Sequence, residues 1–176
     1  PFEAVSWSPA RHGVASVLFL NPPYDHNDRG GRMELDFLKA SLGALVSGGV
    51  LVYIIPTTAV DYSLGEFLFR HFQDVRVFRF GDGADGDNFD RFKQIVILAT
   101  RRKQSLKTLY EDQEAQGASY AFVETYSQTY AYRHDRPLTE RIPVALPEGT
   151  VYAVPTVRKA ANIRRYRYAD GEIEGL

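Results

Sequence analysis

Residues 15–20, Ala-Ser-Val-Leu-Phe-Leu, are apolar at nearly every position, without the alternation of a half-solvated strand. Such a run suits a strand covered on both faces, as in a parallel sheet. Residues 50–55 repeat the pattern and end at Pro56. Between the two runs, Leu35, Leu38, Leu42 and Leu45 recur at helical spacing and predict a helix over 33–46, stopped by Ser47, Gly48 and Gly49. Ser63 and Glu66 stand as a capping box opening a second helix, with Leu64, Phe67, Leu68 and Phe72 on its apolar face. Residues 75–80 and 94–100 read as two further strands. No helical pattern separates them, which predicts an antiparallel hairpin. The order strand, helix, strand, helix, strand, strand is that of the second half of a doubly wound α/β fold. Past Lys103 the pattern weakens. Residues 106–116 suit a short helix or a strand, and the aromatic–polar alternation over 120–132 predicts an exposed strand. Pro137, Pro143, Pro147 and Pro155 then punctuate an irregular stretch. The chain thus divides into an α/β unit over 1–103 and a β-rich extension over 104–176.

Composition narrows the chemistry. The net charge of −1 gives no global pull toward nucleic acid, so any basic surface must be local. Without cysteine there is no disulfide framework, thiolate metal site or cysteine nucleophile. His12, His26, His71 and His134 show no ligand spacing, and no metal is expected. No apolar stretch approaches the ~20 residues of a membrane span, and no signal peptide is visible, which makes the cytoplasm the expected location. The chain starts at Pro1 and stops at Leu176 without a clear end to an element. Both ends read as cut, which predicts a piece of a larger protein.

The first apolar run leads directly into Asn21-Pro22-Pro23-Tyr24. Polar loops at strand tips are where open α/β sheets place their chemistry. Two prolines fix φ and remove two backbone donors, so their carbonyls stay available as acceptors on a stiff loop. Asn21 adds a side-chain carbonyl and Tyr24 a flat ring. That set suits a planar guest carrying an NH₂ group. An Asn-Pro turn without chemistry reads equally well from spacing alone.

At these residues the chain resembles the S-adenosylmethionine-dependent amino-methyltransferases, above all the adenine-N6 DNA methyltransferases. The resemblance runs over about residues 14–102 and takes in the apolar run, the motif, the helix after it and the closing strand pair. It implies a partial Rossmann-like sheet, the C-terminal half of the fold, ending in an antiparallel hairpin. It also implies roles. Asn21 and Pro22 offer carbonyls to the two hydrogens of an exocyclic amine, Tyr24 stacks on the base, and Pro23 lines the site. A second aromatic from the loop before the last strand closes the clamp. Phe89 and Phe92 lie there, and Phe89, further out in the loop, is preferred. The substrate implied is an adenine flipped out of DNA, with RNA bases and a protein glutamine amide as alternatives.

The resemblance also marks what is missing. The family holds S-adenosylmethionine on a glycine-rich loop and an acidic residue ahead of the catalytic motif, and only twenty residues precede Asn21. The fragment alone is therefore expected to bind the cofactor weakly and to be inactive. Strand 15–20 is expected to lack a neighbour and to be paired by the missing N-terminal half or by another chain. A binding or interaction module without catalysis is the alternative. The stretch 81–86 matches G-x-G-x-x-G but opens no helix, and its aspartates would repel phosphate, so it reads as a turn. Arg158, Lys159, Arg164, Arg165 and Arg167 stand near Tyr166 and Tyr168, a pattern that suits a solvated strand or, less well, a nucleic-acid contact.

Overall fold

A computed structural model describes residues 13–24, 32–81 and 88–157, and the backbone of two short strands beyond them. The central sheet has four strands, β1 (Ala15–Leu20), β2 (Leu45–Pro56), β3 (Phe72–Arg79) and β4 (Gln94–Arg101), in the order β1-β2-β4-β3. β1 runs parallel to β2, and β4 runs antiparallel to both β2 and β3. The α/β class and the closing antiparallel hairpin are as the apolar runs predict. β5 (Tyr166–Ala169) and β6 (Glu172–Gly175) form a separate antiparallel pair.

Cross-strand neighbours share a face of a sheet, so the registers sort the side chains. One face carries Leu51, Tyr53, Ile55, Ala99, Ile97 and Ile95, all with no solvent exposure, plus Val77 and the half-buried Leu18 and Leu20. The helices α1 (Met33–Ser41), α2 (Tyr62–His71) and α4 (Gln113–Tyr126) bring Leu35, Leu38, Leu64, Leu68, Phe122 and Val123 into this same core. The other face carries Val17, Phe19, Val52, Ile54, Leu98 and Phe78. Val17 is 45% exposed and Phe19 63% exposed. Among the described residues, a strap of chain meets the β3 and β4 side of that face: the Tyr152 hydroxyl donates to the Asp74 carbonyl at 2.7 Å. Arg79 N–H donates to the Pro143 carbonyl at 2.8 Å, which ties the outer edge of β3 to the same segment.

Local signals explain most boundaries, and some differ from the sequence reading. The first helix ends at Ser41, and a short 3-10 turn over Leu42–Ala44 leads into β2. Gly48 and Gly49 therefore lie inside a strand rather than stopping a helix, with Gly48 at φ 77°. α2 is capped by Asp61, whose carboxylate accepts from Leu64 N–H at 2.8 Å, so the Ser63 capping box does not form. A one-turn helix, α3 (Asn88–Phe92), sits in the hairpin between β3 and β4.

The largest correction concerns 120–132. The first half of the extension is helical, through α4 and a single turn, α5 (Leu138–Arg141). Ala115, Ser119, Phe122 and Val123 are its buried positions, a helical set whose small members hide the period. Gly65 lets α4 approach: a Cβ there would lie 2.9 Å from Val123 Cγ2 and 3.0 Å from Ser119 Oγ. With Ile142 and Leu138 also in the core cluster, the chain beyond residue 104 contributes to one core with the sheet.

Candidate active site

Parallel β1, β2 and β3 leave the sheet at one end, and antiparallel β4 enters there. Asn21–Tyr24, Thr57 and Thr58, Phe80 and Gly81, and Gln94 consequently meet at the carboxyl ends of the parallel strands, the usual place for ligand sites in open α/β sheets. Pro22 is buried, while Asn21, Pro23 and Tyr24 face solvent.

The motif is tied to β4 by a chain of hydrogen bonds. The Tyr24 hydroxyl donates to Asn21 Oδ1 at 2.5 Å and accepts from Gln94 Nε2 at 3.0 Å. An amide oxygen has two lone pairs, so Asn21 keeps one for an incoming N–H. Partial burial, and after it the Glu34 carboxylate, push the Tyr24 hydroxyl above the ordinary phenol range, which keeps it a neutral donor. Below the motif lies a buried polar layer. Arg32 Nη2 pairs with Glu34 Oε1 at 2.6 Å, and the Glu34 side chain is 1% exposed. Tyr53, wholly buried on β2, has its hydroxyl pushed well up, first by burial and then by Glu34. Among the described residues, neither Tyr53 Oη nor Glu34 Oε2 has a hydrogen-bond partner.

Beside the motif opens a cavity of about 330 Å³, lined by Phe80, Gly81, Asn88, Phe89, Phe92 and Gln94. Its two candidate aromatics differ. Phe89 is 1% exposed and belongs to the core, with the charged groups of Arg79 and Lys93 at 5.5 and 5.4 Å from its ring centroid. Phe92 is 52% exposed, with Arg91 against its ring at 5.1 Å. The preference for Phe89 does not fit this burial: Phe89 supplies wall and support, and Phe92 has the accessible ring. Lys93 makes the difference possible. Its left-handed φ of 51° turns the chain sharply out of α3, and its carbonyl accepts from Thr57 N–H at 2.8 Å, locking the turn to the end of β2.

Gln94 went unmarked in the sequence because a glutamine opening a strand carries no local signal. The structure gives it a place on the cavity wall and a bond to Tyr24. Other candidates stand apart. His71 closes α2 at the far end, with Nδ1 2.7 Å from Ser105 Oγ, and His134 Nε2 meets the Glu124 carbonyl at 2.9 Å. Residues 82–87 and the basic stretch 158–165 lie outside the described residues, as do His12 and His26, and the side chains of Tyr166, Arg167 and Tyr168 are not described. Among the described residues, no group of three or more His, Asp or Glu is placed to hold a metal. No helix among them is long and apolar enough to cross a membrane.

Phe92 and Gln94 thus stand at the cavity, and the Asn21–Tyr24 loop joins it through the Gln94–Tyr24 bond. Residues 4–133 match the model of a family described as "Uncharacterised methyltransferase family". No curated protein and no solved structure matches the chain.

Proposed function

The chain belongs to this methyltransferase family, and from that premise we propose that it grips the substrate in an S-adenosylmethionine-dependent adenine-N6 DNA methyltransferase. The observation that carries the reading is the bonded series Gln94–Tyr24–Asn21 at the rim of an aromatic cavity. An adenine amine is a poor nucleophile because its lone pair is delocalised into the ring. Asn21 Oδ1 and the Pro22 carbonyl accept its two hydrogens and draw the nitrogen toward tetrahedral geometry, which localises that lone pair. Tyr24 and Phe92 hold the base between them, and Gln94 fixes Tyr24. S-adenosylmethionine, when bound, supplies an electrophilic methyl sulfonium. Once the amine nitrogen carries the methyl group, its surplus N6 proton would pass to water at the exposed rim. Positioning supplies most of the acceleration.

The cofactor is brought from beyond β1. Among the described residues, the sheet order leaves that strand at an edge, with Val17 and Phe19 open to solvent. A bare apolar edge favours pairing with another segment. We assign this edge to the polypeptide that carries the cofactor pocket, from the same protein or another chain. No cofactor contact is assigned within the described residues.

The test is methyl transfer from labelled S-adenosylmethionine by the native protein to single-stranded DNA, duplex DNA, RNA and a glutamine peptide. The expected product is N6-methyladenine in DNA. Label found only in RNA or in the peptide overturns the DNA assignment and leaves the methyl-transfer chemistry in place.

A further inference from the structure

A second cavity, of about 460 Å³, opens between α2, α4 and the 3-10 turn Leu109–Glu111. Its walls include Tyr62, Tyr110 and Tyr120. Tyr62 and Tyr120 stand edge to face, with centroids 5.7 Å apart and planes at 65°, and so form a corner. Tyr130 braces Tyr62 at 5.5 Å. The aromatic surface is nonetheless open: Tyr110 is 82% exposed and Tyr120 51% exposed. Large rings gathered around a concave opening, rather than scattered singly, mark a binding surface.

Among the described wall residues the one carboxylate is Glu66; a cation also stands nearby, the Arg133 guanidinium lying 4.7 Å from the centroid of Tyr130, which braces Tyr62. The partner of Glu66, Arg70, one helical turn on at 3.4 Å, is not part of the wall. Ring faces are electron-rich, and a carboxylate beside them repels phosphates and carboxylates. Both features favour a cation, and most of all one that sheds water easily. Methylation weakens the hydration of an ammonium group and spreads its charge over CH₃ groups that pack on rings. We propose that this cavity is an aromatic cage for a trimethylammonium group, separate from the candidate active site and independent of its chemistry.

The group can arrive on a small solute or on a methylated lysine. The experiment is a calorimetric or NMR titration of the chain with choline, with a trimethyl-lysine peptide, and with 3,3-dimethylbutan-1-ol, the neutral carbon isostere of choline. The expected result is saturable binding of a cationic probe, at least ~10-fold tighter than of the neutral isostere, with shifts confined to Tyr62, Tyr110 and Tyr120. Which cationic probe binds more tightly identifies the source. Tyr110→Ala should weaken binding several-fold without altering the melting temperature, because that ring is in solvent. Tyr120→Phe should preserve binding and Tyr120→Ala should not, while Glu66→Gln should narrow the preference for the cation. Equal binding of choline and its isostere, no binding of either cationic probe, or unchanged affinity in both Tyr110→Ala and Tyr120→Ala overturns the proposal. None of these outcomes bears on methyl transfer.

Discussion

The two faces of the sheet are built from the same kinds of residue and meet different fates. Ile97 and Leu51 lie beneath three helices with no exposure, whereas Phe19, one strand away and on the opposite face, is 63% exposed. Apolar composition does not by itself produce burial; it needs an element to cover it. Among the described residues, the helices between strands fall on one side, and the strap at Tyr152 reaches β3 and β4 on the other. Among the described residues, the open part of the second face adjoins the edge strand β1. The candidate site lies at the end of that same strand.

The sharpest way to break the comparison is a matched pair of truncations. Ile97→Ala should cost about 2–5 kcal/mol in denaturant unfolding, through lost burial and the cavity left behind. Phe19→Ala should cost less than about 0.5 kcal/mol in this chain. Equal costs would mean that Phe19 is covered after all. Next in size is Gly65→Leu, which drives a side chain into Val123 and Ser119 and should cost about 1–3 kcal/mol. A neutral result would show that α4 is loosely seated on the covered face.

The pH dependence tests the far end of α2. Burial first, then Arg70 and Arg101, hold the His71 imidazole below its ordinary value of 6.5. The unfolded chain then binds this proton more readily than the folded one, so stability should be full above pH 6.5 and decline as pH falls through it. His71→Gln should flatten that slope in melting curves recorded from pH 7.5 to about 5.5; an unchanged slope assigns the titration elsewhere. The smallest effect expected is that of Glu66→Gln. It breaks an exposed pair with Arg70 and should move stability by less than about 0.5 kcal/mol, so a larger change would show that the pair supports the helix packing.

The strands, and the rigid loop at the tip of β1, were legible because each rests on a local signal. Residues 15–20 and 50–55 are apolar at nearly every position, and Asn21-Pro22-Pro23-Tyr24 breaks the first run with rigid residues. α4 was not legible, because Tyr120, Phe122 and Tyr126 fall at even spacing as in a strand, while Ala115 and Ser119 conceal the buried helical stripe. The end of α1 was missed, although Gly43 lies just past it, because Leu42 and Leu45 carry the helical spacing on into β2. Within the site, the choice between Phe89 and Phe92 depends on a one-turn helix and on the left-handed Lys93, neither of which has a sequence signature. The bond from Gln94 to Tyr24 spans 70 positions and rests on the pairing of β1 with β2 and of β2 with β4, which no local stretch encodes.

The central claim is that the Asn21 carbonyl receives the substrate amine. Its most direct test is the rate of N6-methyladenine formation by the native protein carrying Asn21→Ala, compared with the parent. A loss of about 10²–10³ in kcat, the scale seen when one polar group serving the transition state is removed, with an unchanged melting temperature, is the predicted result. A kcat within a factor of about two of the parent would contradict it.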